Sequence, residues 1–235
     1  MLIPYKDDNP VYLTPYVTYV ILGLNVFVYL IEMLIAFAGG PRAQNMFFYQ
    51  WGLVPAQVFS GQGFIPSVVP FFTSIFLHGG LLHIGFNMLY LWIFADNIES
   101  ELGHVKFLLF YLLCGIGASL TQFIIDPGSN VPIIGASGAI SGVLGAYYIR
   151  FPYARVKAIL LLFIIIPSIW LPAKLLLGFW FAMQILSGLG SIGGAALAGL
   201  LLGMVQSLAS VFLTNTEVAL IFYLVLVAIL LLRPE

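Results

Sequence analysis

The sequence predicts an all-α polytopic membrane protein, a bundle of six core transmembrane helices with a seventh following them. Three observations carry that expectation. Of the 235 residues, 62% are hydrophobic and only 7% are charged, with a mean hydropathy of +1.09, far from the balance of a water-soluble domain. Apolar runs close to the roughly 20 residues needed to cross hydrocarbon recur along the chain. Turn-forming clusters such as Asp126-Pro127-Gly128-Ser129-Asn130 separate them.

Residues 1–13 read as a short cytoplasmic N-terminal segment and residues 14–235 as a single membrane domain. The first span covers residues 14–38. It ends at Gly39-Gly40-Pro41 without a small-residue cleavage pattern, so it is expected to be a retained span and not a signal peptide. Residues 39–70 hold Arg42, Trp51, Pro55, Pro66 and Pro70, a composition expected for a long loop lying on the membrane. The second span covers 72–98, the third 105–125, and the fourth, short and rich in glycine, 133–149. Residues 156–166 are apolar but too few to cross, and Pro167 and Pro172 follow. They are either interfacial or a broken lead-in to a fifth span at 173–186. Gly188-Leu189-Gly190 then links to a sixth span at 191–213, and 217–232 forms the seventh.

Counting alternate sides places Lys6, Lys106, Arg150, Arg155, Lys157 and Lys174 on one side and Arg42 and Arg233 on the other. That bias predicts a cytoplasmic N-terminus in a bacterial-type plasma membrane. It also puts the start of the fourth span toward the opposite face. The net charge is −1 and no basic stripe exists, which argues against a nucleic-acid partner. Cys114 is the single cysteine, so an intramolecular disulfide and a cysteine-rich metal site are excluded and a packing role is expected.

Two polar clusters interrupt the apolar runs. Gly135-Ala136-Ser137-Gly138-Ala139-Ile140-Ser141-Gly142 sets a hydroxyl among small residues. Gly138 and Gly142 leave one helix face nearly without bulk, and Gly199 and Gly203 give the sixth span a similar face, so the fourth and sixth spans are expected to meet closely. In the other cluster, His83 and Asn87 are four residues apart and share a helix face, where a ring N–H and an amide N–H can aim at one point. Such paired donors suit an oxyanion, at roughly 3–4 kcal/mol per donor in a water-poor site. A plain interhelical polar contact, worth about 0.6 kcal/mol, is the bland alternative. His78 lies five residues before His83 and has a supporting role at most.

Taken together, these runs resemble the rhomboid family of intramembrane serine proteases. His78, His83 and Asn87 match the family's second-span pattern, and Gly135, Ala136, Ser137 and Gly138 match its nucleophile segment. The similarity continues through Asp96-Asn97-Ile98-Glu99, Leu102-Gly103-His104, residues 107–117 and Trp180-Phe181-Ala182-Met183-Gln184. The resemblance implies that Ser137 attacks a peptide bond, that His83 and Asn87 hold the oxyanion, and that the substrates are transmembrane segments of other membrane proteins. It implies no metal, nucleotide or other cofactor.

One part of the pattern is missing. The family places its general base in an Ala-His-x-Gly-Gly run at the head of the sixth span, where this chain reads Leu189-Gly190-Ser191-Ile192-Gly193-Gly194. Ser191 stands near the expected position, and a hydroxyl cannot replace imidazole as a base near neutral pH. His104 is expected to face the cytoplasm, and His83 as base would cost the oxyanion a donor. Two readings therefore stand: an endopeptidase impaired in catalysis, and a pseudoprotease that binds client transmembrane helices. A transporter would call for broken half-helices in related repeats, of which only the proline-rich region before the fifth span gives a hint.

Overall fold

The computed structural model describes residues 2–58, 60, 67–161 and 165–188. The chain divides into two compact units, 1–179 and 180–235, and the second is described only over 180–188, the end of a helix. The expected sixth and seventh spans, Gly199 and Ser191 lie outside the described residues.

Five helices carry the described chain: α1 (Tyr16–Trp51), α2 (Leu81–Leu102), α3 (His104–Ile125), α4 (Ser137–Arg150) and α5 (Ala173–Gly188). Among the described residues α1, α2 and α3 are long and apolar enough to cross a membrane. The protein is thus a mostly helical membrane protein. Helix α1 breaks at Gly40, whose φ of 71° and ψ of −175° suit glycine, and Pro41 then offers no N–H to the helical ladder. The rod after the break occupies much of the stretch expected to be loop. Helix α2 starts later than expected because a single turn at Pro70–Thr73, a 3-10 turn at Ser74–Phe76 and Gly79-Gly80 precede it.

Helix α4 lies at the centre. Ala139, Ile140, Val143, Leu144 and Tyr147 are fully buried, as are Leu91, Phe94 and Ala95 of α2, and the rings of Phe94 and Tyr147 meet edge-on at 4.8 Å. The small-residue face of α4 is used as expected, but its observed neighbour is α3. A Cβ on Gly142 would overlap the Cys114 sulfur, and one on Gly138 would lie 2.5 Å from Ala118 Cβ. Gly115 of α3 has equally little room, beside Ile75 and Ala139. Cys114 thus fills space against a glycine.

The description all-α needs correction, because residues 2–172 also contribute a three-stranded antiparallel sheet in the order β1-β2-β3: β1 (Leu2–Asp7), β2 (Arg155–Leu161) and β3 (Ile165–Pro172). The segment before the fifth span, read as interfacial or as a broken lead-in to that span, forms a β-hairpin whose second strand runs into α5 at Ala173. Its signal was present in Arg155-Val156-Lys157-Ala158, which alternates polar and apolar residues. Val156 and Ala158 are fully buried while Arg155 is exposed, as alternation requires. Strand β1 pairs with β2 and thereby fastens the N-terminal segment to the bundle.

Polar side chains lock the charged end. Glu99 of α2, fully buried, accepts hydrogen bonds from the Val17 and Thr18 N–H groups and the Thr18 hydroxyl of α1 at 2.9, 2.7 and 2.6 Å, while His104 Nδ1 of α3 lies 2.6 Å from its other side. Asp7 Oδ2 accepts from Tyr147 at 2.7 Å and from Asn97 at 2.9 Å, and Asn9 donates to the same tyrosine oxygen at 2.6 Å. Arg150 pairs with Glu101, and Arg155 with Asp8.

Two expected outcomes follow from this packing. Gly142→Leu should destabilise the protein in detergent by about 1–3 kcal/mol through overpacking against Cys114. Gly117→Leu, on the exposed side of α3 with nothing within 4 Å of its Cβ position, should shift stability by no more than about 0.5 kcal/mol; paired thermal melts would check both. The second concerns Asp7, whose carboxyl burial pushes up from 3.8 to about 6. Because the folded state holds this proton more tightly than the unfolded chain, the contribution is full below pH 3.8 and is lost as pH rises through about 6. Asp7→Asn should flatten the wild-type decline between those values, by about 1 kcal/mol once solvent screening is allowed for. Melting curves of both proteins across that window are the measurement.

Candidate functional site

At the end of the bundle opposite the salt-bridged one, three loops knit together before α4 begins. Leu53 and Ile133 exchange backbone hydrogen bonds at 3.1 and 2.7 Å, and the Ala56 N–H donates to Ser129 O at 3.0 Å. The Gly135 N–H donates to Ser74 O at 2.8 Å. This bridge is why α4 starts at Ser137 and not at the expected residue 133. Ser137 is its first residue, half-buried, with Ala136 before it giving no side-chain cap. The first-turn N–H groups therefore have no intrahelical acceptor, as at any helix start.

Gly135 explains how His83 comes near. Its φ is 123°, and a Cβ there would lie 2.9 Å from His83 Nε2, 3.0 Å from His83 Cε1 and 3.7 Å from Ser137 Oγ. Any side chain would be strained by the backbone and would push the imidazole aside. The His83 ring and the Ser137 hydroxyl thus flank a point that only glycine leaves open. Asn87, one helical turn after His83 on α2, is buried, and among the described residues its Nδ2 has no hydrogen-bond partner. A buried amide N–H without an acceptor costs about 1–3 kcal/mol, so it calls for an explanation. Gly138 contributes through backbone proximity to α3, as described above.

His78 was expected to face elsewhere and to support at most. It is fully buried, and its ring lies edge-on to His83 with centroids 5.1 Å apart. Its backbone N–H donates to Glu32 Oε1 at 3.1 Å, and its Nδ1 lies 3.3 Å from Phe76 O. Glu32 is fully buried in α1. It bonds the turn that leads into His83. The chain's composition held one signal for it, a lone carboxylate inside a long apolar run, which must be paired or functional at that depth. His104 is remote from this cluster, held at the other end by Glu99 and packed against Tyr16 at 5.6 Å. Trp180 and Gln184 fall on the last part of α5, where Trp180 meets Phe181 edge-on at 5.2 Å.

Chemically, the cluster offers a hydroxyl at a helix start, an imidazole beside it and a buried amide donor. The groups could accept a developing negative charge, and no described residue stands as a base toward Ser137 other than His83 itself. Comparison with known proteins shows the family. Residues 66–214 match the profile of the Rhomboid domain. Rhomboid protease GluP of Bacillus subtilis is 39% identical over 127 residues, 52% of this chain and 23% of that protein. Rhomboid protein 1, mitochondrial, of Saccharomyces cerevisiae is 29% identical over 142 residues, 59% and 37% of the two chains. Presenilin-associated rhomboid-like protein, mitochondrial, of Homo sapiens is 35% identical over 94 residues, 39% and 25%. The matched stretches span well under half the length of these relatives. With the domain profile covering more than half of the sequence, and including both polar clusters, the chain belongs to the rhomboid family.

Proposed function

We propose that this chain carries the nucleophile and oxyanion half of a rhomboid-type serine endopeptidase site, directed at transmembrane segments of membrane proteins, and that it does not turn over as it stands. The observation that carries the reading is the convergence of His83 and Ser137 on Gly135, with the unpartnered Asn87 amide on the same helix. In the proposed roles Ser137 attacks, His83 and Asn87 stabilise the oxyanion, and Gly135, Gly138 and His78 support them. Six core spans and a seventh complete the proposed bundle, the last two within residues 189–235.

Depth supports the choice of substrate. Helix α4 has 14 residues and rises about 21 Å, less than the ~30 Å of hydrocarbon. With Arg150 at one interface, held by Glu101, Ser137 sits below the other. A hydroxyl there meets peptide bonds of membrane segments near the bilayer boundary. The proposed orientation keeps residues 1–13 in the cytoplasm of a bacterial-type plasma membrane, with Ser137 toward the outside.

The replacement of the family's histidine by Ser191 specifically favours the second reading, a pseudoprotease that binds client helices. Without a base, serine is a weak nucleophile, and removing one member of a Ser-His pair typically costs about as much as removing the unit. The chain should therefore cleave a model transmembrane substrate no faster than its Ser137→Ala variant and should label weakly with fluorophosphonate. Inserting a family-like loop ending in Ala-His before Ile192 should restore both, in a Ser137-dependent manner, whereas Ser191→His alone should restore little because a 1 Å misplacement can cost about a hundredfold. Ser137-dependent cleavage by the unaltered chain would refute the account and make His83 the base to test.

Orientation has its own test. A tag before Lys6 should be protected from added protease in intact right-side-out cells, while a site introduced within residues 39–70 should be cut. Cleavage of the N-terminal tag in sealed cells would reverse the assigned topology.

A further inference from the structure

The site makes no use of the β-sheet, and its register sorts residues by polarity along the strands. At one end Leu2 pairs with Leu160, Ile3 with Ile159, Leu160 with Ile166 and Leu161 with Ile165; at the other, Asp7 pairs with Val156 and Arg155 with Pro172. The hairpin sequence from Ala158 to Ile169 contains no charged residue. Between the two ends runs a rung in which Lys6 pairs with Lys157 and Lys157 with Trp170. Lys157 Nζ lies 5.9 Å from the Tyr5 ring centroid and 5.7 Å from that of Trp170, and the Arg155 guanidinium is 5.6 Å from Trp170. Tyr5, Lys6, Arg155 and Trp170 are exposed.

Like charges placed directly opposite each other across strands repel. Among the described residues neither Lys6 nor Lys157 has a carboxylate within ion-pair distance, since Asp8 pairs with Arg155 and Asp7 serves Tyr147 and Asn97. The rung lacks an anion. Among the described residues the outer edges of β1 and β3 also have no partner strand, and open backbone groups cannot lie in hydrocarbon. The sheet must therefore sit at the bilayer boundary, and its succession of an apolar end and then a rung of cations and aromatic rings together follows that boundary from acyl chains toward headgroups. An acidic soluble protein would answer the cations but leave the apolar end uncovered.

We infer that the sheet is an interfacial dock for anionic phospholipid, in which Lys6 and Lys157, with Arg155 beside them, hold the headgroup phosphate while Trp170 and Tyr5 lie at the level of the glycerol. The dock belongs to the leaflet at the charged end of the bundle and is independent of any chemistry at Ser137.

The test uses the full chain in phosphatidylcholine nanodiscs, with the signal of Trp170 taken as the difference between the unaltered protein and Trp170→Phe. That signal should be quenched by lipids brominated high on the acyl chain, and it should respond to increasing fractions of phosphatidylglycerol. Lys6→Gln and Lys157→Gln should each raise the phosphatidylglycerol fraction needed for half response about fivefold. Absence of quenching in that difference signal would mean that the sheet faces water, and would overturn the proposal. A response that ignores both lysines, or that free glycerol phosphate reproduces, would also overturn it.

Discussion

A buried carboxylate, Glu99, sets the frame on which everything else is hung. It gathers two backbone N–H groups and a hydroxyl from α1 and faces the imidazole of His104 at the start of α3. A carboxylate without exposure is tolerable only when its lone pairs are filled, and here they are. The N–H groups of Val17 and Thr18 are first-turn donors of α1, which have no partner within their own helix. One side chain thus satisfies a helix start and joins three helices, so their ends are held in register without a long polar interface inside the bilayer. The same end receives β1 through Asp7, Tyr147 and Asn97, which ties the N-terminal strand to the end of α4.

From that anchored end, α4 carries the arrangement across to Ser137. Its central position requires close approach to α3, and glycines on both helices permit it: Gly138 and Gly142 on one, Gly115 on the other. In lipid, where apolar surface alone gives no preference for protein over acyl chains, such backbone proximity is a main source of helix association. The position of Ser137 is therefore a consequence of packing at Gly142 as well as of the loop at Gly135. The loop side is fixed in turn by backbone bonds from Leu53, Ser74 and Ile133, with Glu32 holding the turn that delivers His83.

Much of this was legible in the residues, for reasons that differ by element. The spans seen as α1, α2 and α3 were, because hydrocarbon sets a length that composition reveals directly; α3 was expected at 105–125 and is His104–Ile125. The placement of His83 and Asn87 four residues apart on one helix was readable from the sequence, and the Gly-Ala-Ser-Gly run was marked by its resemblance. The partner of Gly142 was not, because a small-residue stripe says that something approaches and not what. The hairpin was missed because an apolar run ending in prolines reads as helix debris when every neighbour is helical, although its alternation was present. Glu32 and Asp7 were missed for a common reason: the partner of a lone carboxylate lies far away in sequence, at His78 and at Tyr147.

The separation between the two ends bears on why an intact nucleophile segment can coexist with a missing base. Gly135, His83, Ser137 and Asn87 are positioned by α2, α4 and the loops between them, all within residues 1–179. The described hydrogen bonds around them, from the Gly135 N–H to Ser74 O and from the His78 N–H to Glu32, also lie within those residues. Under the proposed reading, the absence of a histidine at residues 189–194 withholds proton transfer while these described contacts stand. The unpartnered amide of Asn87 is then a feature with a stability cost among the described residues, whereas a positive φ costs Gly135 little. Under the proposed reading that cost is understandable as preparation for an occupant, whether a scissile carbonyl or the backbone of a bound helix.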